Sequence, residues 1–272
     1  MNSATFLGLE PRGSHGAMSG RWAMAVVPGL ATGGRFLFGG AALAGVVSAM
    51  EQLSHRPLVW ATGQYLSYAR LGEVLEIDVL LAVTGNQVTQ ARGIGRVGGR
   101  EVLAVNAALG SREVEHDAQF ASAPGAATPD SLPVREHRHP VAGTIHERFE
   151  QRVVVGRGLT ELDGTISDGR TMMWVRIRDL PSGLDAAALA VLGDFVPMGV
   201  GQALGVRGGG NSLDNTLRVV RLVPTEWVLL DILIDAVERG FGHGSVRMYA
   251  QDGTLLATAS QSCIVRVAKE ES

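Results

Sequence analysis

A chain of 272 residues with a formal net charge of −3, from 24 Lys and Arg against 27 Asp and Glu, offers no electrostatic footprint for nucleic acid. Its length accommodates two domains of roughly 100 to 150 residues each. The single cysteine, Cys263, excludes an intrachain disulfide and a cysteine zinc cluster, and its place in an apolar run suggests a buried, inert thiol.

Residues 1–11 contain no cationic segment followed by an apolar stretch, and the apolar run 36–50 is too short and too glycine-rich to span a bilayer. The terminal residues 269–272 carry no peroxisomal address. The expectation is a cytoplasmic protein with no membrane partner. Segment 41–53 is apolar nearly all round at helical spacing, and a helix without a polar face has to be wrapped by other structure. After Pro57, strand character follows at 59–70, 74–83, 88–97 and 101–109, punctuated by Leu71-Gly72, Gly85-Asn86 and Gly98-Gly99. One buried helix followed by an antiparallel meander is the outline of a hotdog domain.

From about 117 to 143 the periodicity is lost among Ala, Pro, Gly, His and Arg, which reads as a linker. Strand character returns at 145–155, attributable to either sheet or to the connection. A second block then repeats the first: a strand at 174–178, a mainly apolar helix at 184–204, and strands at 212–223, 227–236, 244–250 and 255–267. An ungapped offset of 153 pairs Glu73 with Glu226, Asp78 with Asp231, Ala104 with Ala257 and Leu109 with Ser262, which points to an internal duplication. The expected architecture is α+β, a double hotdog whose two antiparallel sheets each wrap an apolar helix and join edge to edge. Its expected divisions are an N-terminal unit at 1–116, a linker at 117–165 and a C-terminal unit at 166–272.

A repeat specifies architecture rather than activity, so the informative positions are those where the halves differ. Gln261 aligns with Ala108 at the offset of 153, and Ser212 with Ala61 at an offset of 151. Asp194 lies inside the apolar run 189–197, where the first half has no carboxylate. A carboxylate among apolar neighbours needs hydrogen-bond partners, and a hydroxyl and an amide from adjoining strands would supply them. Such a trio can hold and activate a water, with Asp194 as general base and Ser212 and Gln261 orienting it. Taken singly, Asp194 on a surface helix, Gln261 on a solvent face and Ser212 in a turn after Gly208-Gly209-Gly210-Asn211 are each ordinary; the reading rests on the three together.

Thr5-Phe6-Leu7-Gly8-Leu9, Phe38-Gly39-Gly40, Trp174-Val175-Arg176, the stretch from Ser212 to Thr216, the stretch from Gln251 to Ser262 and Val265-Arg266 occur in an order and spacing that resembles the type II (TesB-like) acyl-CoA thioesterases over almost the whole chain. The resemblance implies a double hotdog that hydrolyses an acyl-CoA substrate, with Asp194, Ser212 and Gln261 positioning the hydrolytic water and Gly39 and Gly40 as helix-entry glycines that bind substrate. It implies no cofactor and no metal, and leaves room for assembly into a homo-oligomer. Two positions depart from the family pattern: Ala41 stands where a Gln is usual after the glycines, and Asn215 where many members have His. A hotdog hydratase or dehydratase, using His243, and a non-catalytic acyl-CoA binding module are the alternatives.

Other features carry less. His137, His139 and His146 lie in a charged stretch with Arg135, Arg138 and Arg148 and read as a solvated loop rather than a metal site. Gly93-Ile94-Gly95 and the run from Gly208 to Gly210 lack the strand-loop-helix setting of phosphate loops.

Overall fold

The computed structural model describes residues 2–14, 16–137, 141–180 and 183–267; Arg138, His139 and residues 269–272 lie outside the described residues. Alternation of apolar and polar side chains builds the strands: Leu75, Ile77, Val79 and Leu81 all turn inward from one of them. The first half contributes β1 (Leu9–Ser14), β2 (Ser19–Ala25), β3 (Leu58–Tyr65), β4 (Val74–Thr84), β5 (Val88–Val97) and β6 (Arg100–Gly110). The second contributes β7 (Phe149–Val155), β8 (Arg170–Ile177), β9 (Gly208–Ser212), β10 (Asp214–Val219), β11 (Val228–Glu238), β12 (Phe241–Ala250) and β13 (Leu255–Val267).

All thirteen strands join one sheet, ordered β1-β2-β4-β5-β6-β3-β10-β13-β12-β11-β8-β7 with β9 also on β13. The order reads the same from either end once equivalent strands are matched, so the molecule is a double hotdog, α+β as expected. The seam between the halves is the antiparallel pair β3–β10, where Thr62 sits opposite Thr216 and their hydroxyls bond at 2.7 Å.

The core lies between the sheet and helices α1 (Ser3–Leu7), α2 (Gly39–Ser54), α3 (Ala186–Leu192) and α4 (Val196–Leu204). Helix α2 is buried without interruption from Gly40 to Met50 and packs on β2 through β6. At Gly93 a Cβ would stand 2.4 Å from Val46 Cγ1, so that glycine exists to let α2 settle onto β5. The second half does not repeat this helix. The expected helix over 184–204 breaks at Asp194 (φ −90°, ψ 28°), with a 3-10 turn at Gly193–Phe195 between α3 and α4. Pro197 stands in the first turn of α4, where a missing N–H breaks no helical bond. Ala186–Leu204 is long and apolar enough to cross a membrane, yet all of it but Met198 and Leu204 is buried inside this core.

Three sequence readings change. Helix α1 and strands β1 and β2 were not anticipated; Pro11 and Gly13 interrupt the alternation, and the β1–β2 register shifts between them. The expected strand over 212–223 is two short strands, β9 and β10, on either side of Leu213, both paired with β13. The single offset of 153 fails at the last hairpin. Gly93 faces Val105, whereas its equivalent Val246 faces Ala259, so β6 maps onto β13 at 154 (259 − 105). One residue has entered the turn before β13. Because strand side chains alternate faces, a slip of one residue changes which neighbours are compared.

Of the stretch 145–155, Ile145–Arg148 forms a 3-10 turn and only Phe149–Val155 is strand, β7 on the outer edge of the second half, paired with β8. Upstream of it, Ala121, Ala123, Ala126 and Leu132 cover Trp174, Trp227 and Tyr249 on the face opposite the helices, and Trp174 Nε1 donates to the Ala127 carbonyl at 2.8 Å.

Candidate active site

Asp194 leaves the helical path and thereby turns its carboxylate toward the seam. It is 6% exposed. Gln261 Nε2 donates to its Oδ1 at 2.5 Å, Ser212 Oγ donates to the same oxygen at 2.9 Å, and the Gly40 backbone N–H donates to Oδ2 at 2.7 Å. Gln261 Nε2 also lies 3.3 Å from Ser212 Oγ. The three side chains singled out in sequence therefore converge, and each arrives from a different element: the break between α3 and α4, the end of β9, and the middle of β13.

The corrected registers change their first-half counterparts but not the contrast. Gln261 corresponds to Ala107 rather than Ala108. Ser212 pairs with Cys263 as Leu58 pairs with Leu109, so its counterpart is Leu58 rather than Ala61. Both counterparts are apolar and buried.

Gly39 and Gly40 have a steric reason to be glycine. A Cβ at Gly39 would stand 2.8 Å from Asp194 Oδ2, and one at Gly40 2.8 Å from the Val191 carbonyl oxygen. The first turn of α2 thus docks directly on the carboxylate. Its partial positive charge favours an anion there. Burial pushes the Asp194 carboxyl above its ordinary value, while Gln261, Ser212 and the Gly40 amide pull the other way.

Two residues that sequence reasoning missed surround this carboxylate. The Tyr65 hydroxyl, both polar atoms of the Asn215 amide and Gln261 Oε1 are buried without a well-formed hydrogen bond to protein, although the Tyr65 hydroxyl and the Asn215 amide are close enough to interact. Tyr65 comes from β3 of the first half, with its ring 3.2 Å from the position of a Gly39 Cβ. Burial, then the Asp194 charge, holds its phenol well above the ordinary tyrosine value, so it stays protonated and a donor. Asn215, fully buried, lies beside it. Nothing in the alternation of β3 or β10 separates these two from core residues; the signal was the departure at Asn215.

A cavity of about 650 Å³ opens over the carboxylate, lined by Phe38, Gly39, Tyr65, Phe195 and Ser212 among others. Its walls are largely apolar, as suits a small-molecule site. His243 is exposed on the other face of the sheet and bonds Ser262 Oγ at 3.1 Å, away from Asp194. Among the described residues no group of three His, Cys, Asp or Glu side chains could hold a metal ion. The run Gly208 to Gly210 belongs to β9, where Gly210 lets the strand pass Cys263, whose Sγ would lie 2.4 Å from a Cβ.

The family profile for the acyl-CoA thioesterase C-terminal domain matches residues 121–265. A crystal structure from Novosphingobium aromaticivorans, assigned as a thioesterase, is 34% identical and superposes with a TM-score of 0.83 over 93% of this chain and 98% of its own. A hotdog-fold protein of Alicyclobacillus acidocaldarius is 20% identical, with a TM-score of 0.80 over 92% of this chain and 94% of that one. An acyl-CoA thioesterase II of Mycobacterium marinum is 19% identical, with a TM-score of 0.74 and full coverage of both chains. No curated protein matches the sequence.

Proposed function

Since the chain belongs to the acyl-CoA thioesterase family and is a hydrolase of acyl-CoA thioesters, we propose that its catalytic centre is Asp194 with Ser212 and Gln261, working on a substrate carbonyl held at the first turn of α2. The convergence of Ser212, Gln261 and Gly40 on one buried carboxylate is the observation that carries this reading.

Asp194 takes a proton from a water oriented by Ser212 and Gln261, and the water oxygen bonds to the thioester carbon. Gln261 Oε1, buried and unpartnered, is an acceptor for that water's other proton. Negative charge builds on the carbonyl oxygen. Gly40 N–H is committed to Asp194, so the donor for that oxygen is Gly39 N–H, which has no intrahelical acceptor and lines the cavity. Substrate-binding roles for the two glycines thus divide: Gly40 holds the base and Gly39 holds the carbonyl. Tyr65 adds a second neutral donor. The intermediate collapses with cleavage of the carbon–sulfur bond. The thiolate leaves without strong acid assistance, since a thiol of ordinary pKa about 8.5 is a good leaving group, and the proton on Asp194 returns to it.

The same reading takes residues 1–116 and 166–272 as the two hotdog units, with 117–165 connecting them and lending β7 to the second, and puts the enzyme in the cytoplasm. Release of free CoA thiol across acyl-CoAs from acetyl to palmitoyl, with branched and aromatic examples, tests it. Hydrolysis of at least one thioester is expected; binding without turnover of any would overturn the reading in favour of an acyl-CoA binding module.

A further inference from the structure

Arg135 is a half-buried cation with no carboxylate partner among the described residues. Its guanidinium donates to Gln151 Oε1 at 2.7 Å, and its backbone N–H to the Gln151 carbonyl at 2.8 Å. Gln151 is itself 1% exposed on β7. Among the described residues no carboxylate pairs with Arg135, although Arg148, Arg152 and Arg176 nearby all have one. Burial lowers its proton affinity. His137 and His146 share this region: burial lowers both, with Arg135 adding to the effect on His137, and His137 and Arg135 adding to it on His146, which falls to about 4. Keeping an arginine partly desolvated and unpaired is costly.

The position of Arg135 gives this cost a use. It lines the cavity that contains Asp194 and also a second cavity of about 650 Å³, with His146 and Met198 in the shared wall. One of five guanidinium N–H groups is taken by Gln151, which fixes the plane of the fork and leaves donors for a second partner. The other arginine of the Asp194 cavity, Arg266, is exposed at the end of β13, a setting suited to the multiply charged phosphates of CoA. Arg135 is deeper and single, a setting suited to one carboxylate.

Building on the thioesterase reading, we propose that Arg135, held by Gln151, binds an anionic group of the substrate, and that this group is the free carboxylate at the far end of a dicarboxylic acyl chain. A CoA phosphate presents the same chemistry to the same residue, and the two sources are separable.

The experiment measures kcat/KM for matched pairs of thioesters, carboxyl-terminated against methyl-terminated, from four to eight carbons. Each pair is made both as CoA esters and as N-acetylcysteamine esters, which lack phosphate. Wild type is expected to prefer one or more carboxyl-terminated chains about tenfold or more, the scale of one charge-assisted hydrogen-bonded pair. Arg135→Met should abolish that preference in both ester series while sparing the methyl-terminated substrates, and Arg135→Lys should restore part of it. Equal loss on both members of each CoA pair, with none on the truncated esters, would assign Arg135 to a CoA phosphate and overturn the acyl assignment. No change on any substrate would overturn the anion site altogether. A wild-type enzyme inert to every thioester would instead break the thioesterase reading, which keeps the two failures distinct. Melting curves of both variants confirm that folding is retained.

Discussion

The two halves of the molecule share a strand order but treat their central helix differently. In the first half α2 runs unbroken and buried from Gly40 to Met50; in the second the equivalent segment snaps at Asp194. The strands follow suit. Where the first half has Leu58 and Ala107, the second has Ser212 and Gln261. The intact helix contributes backbone, a donor at its first turn, while the broken one contributes a side chain that only a non-helical residue could aim at the seam. Neither half holds a complete site, and the difference between them is the site.

Asp194→Ala should lower turnover by roughly a hundredfold or more with folding intact, the scale of losing a general base; steady-state thiol release together with a melting curve reads both. Gly40→Ala tests the backbone contribution. Its methyl would collide with the Val191 carbonyl oxygen and the Asp194 Cβ, at 2.8 and 2.9 Å, so a loss of about 1–3 kcal/mol in stability and more than tenfold in kcat is expected. Equivalent positions should then part company. Gln261→Ala should cost activity by roughly tenfold to a hundredfold with little effect on folding, whereas Leu58→Ala should cost about 2–5 kcal/mol of stability with kcat retained. If both behaved alike, the division of labour between halves would fall. Tyr65→Phe is the mildest case: a few-fold loss in kcat is expected, with stability unchanged or raised, because it removes a buried hydroxyl without a well-formed hydrogen bond to protein.

The pH dependence follows from the same carboxylate. Asp194 has its folded-state pKa raised by burial, so the fold prefers it protonated. That contribution to stability is fully present below the ordinary aspartate value and is lost as pH rises through the raised one. Activity runs the opposite way, since the base must be ionised. Lowering pH through this window should therefore lower kcat while raising stability relative to Asp194→Ala, measured by denaturant midpoints at each pH.

Much of this was legible in the sequence where burial and periodicity agree. Strands β4 and β5 alternate cleanly and β12 and β13 do so over most of their length, and a carboxylate in an apolar run marked Asp194 before any geometry. Other parts were hidden for physical reasons. Strand β1 contains Pro11 and Gly13, which erase alternation. The one-residue insertion before β13 is invisible to an ungapped comparison, because alanine and serine fit either face. Tyr65 and Asn215 look like core residues of their strands, and only the fold reveals that their unpartnered polar atoms lie at the seam, where the Asp194 charge reaches Tyr65.

The seam itself has a consequence for how such an enzyme can change. In an assembly of two identical chains, every substitution is copied onto both sides of the dyad, so a position cannot be apolar for packing in one copy and polar for chemistry in the other. Covalent fusion removes that constraint. Across β3–β10 Thr62 still meets Thr216 as a symmetric pair would, but in the next two pairs Gly63 faces Asn215 and Gln64 faces Asp214. The join keeps the memory of symmetry at its centre and spends it at its edges, and it is that local asymmetry which lets a single chain specialise one of its halves.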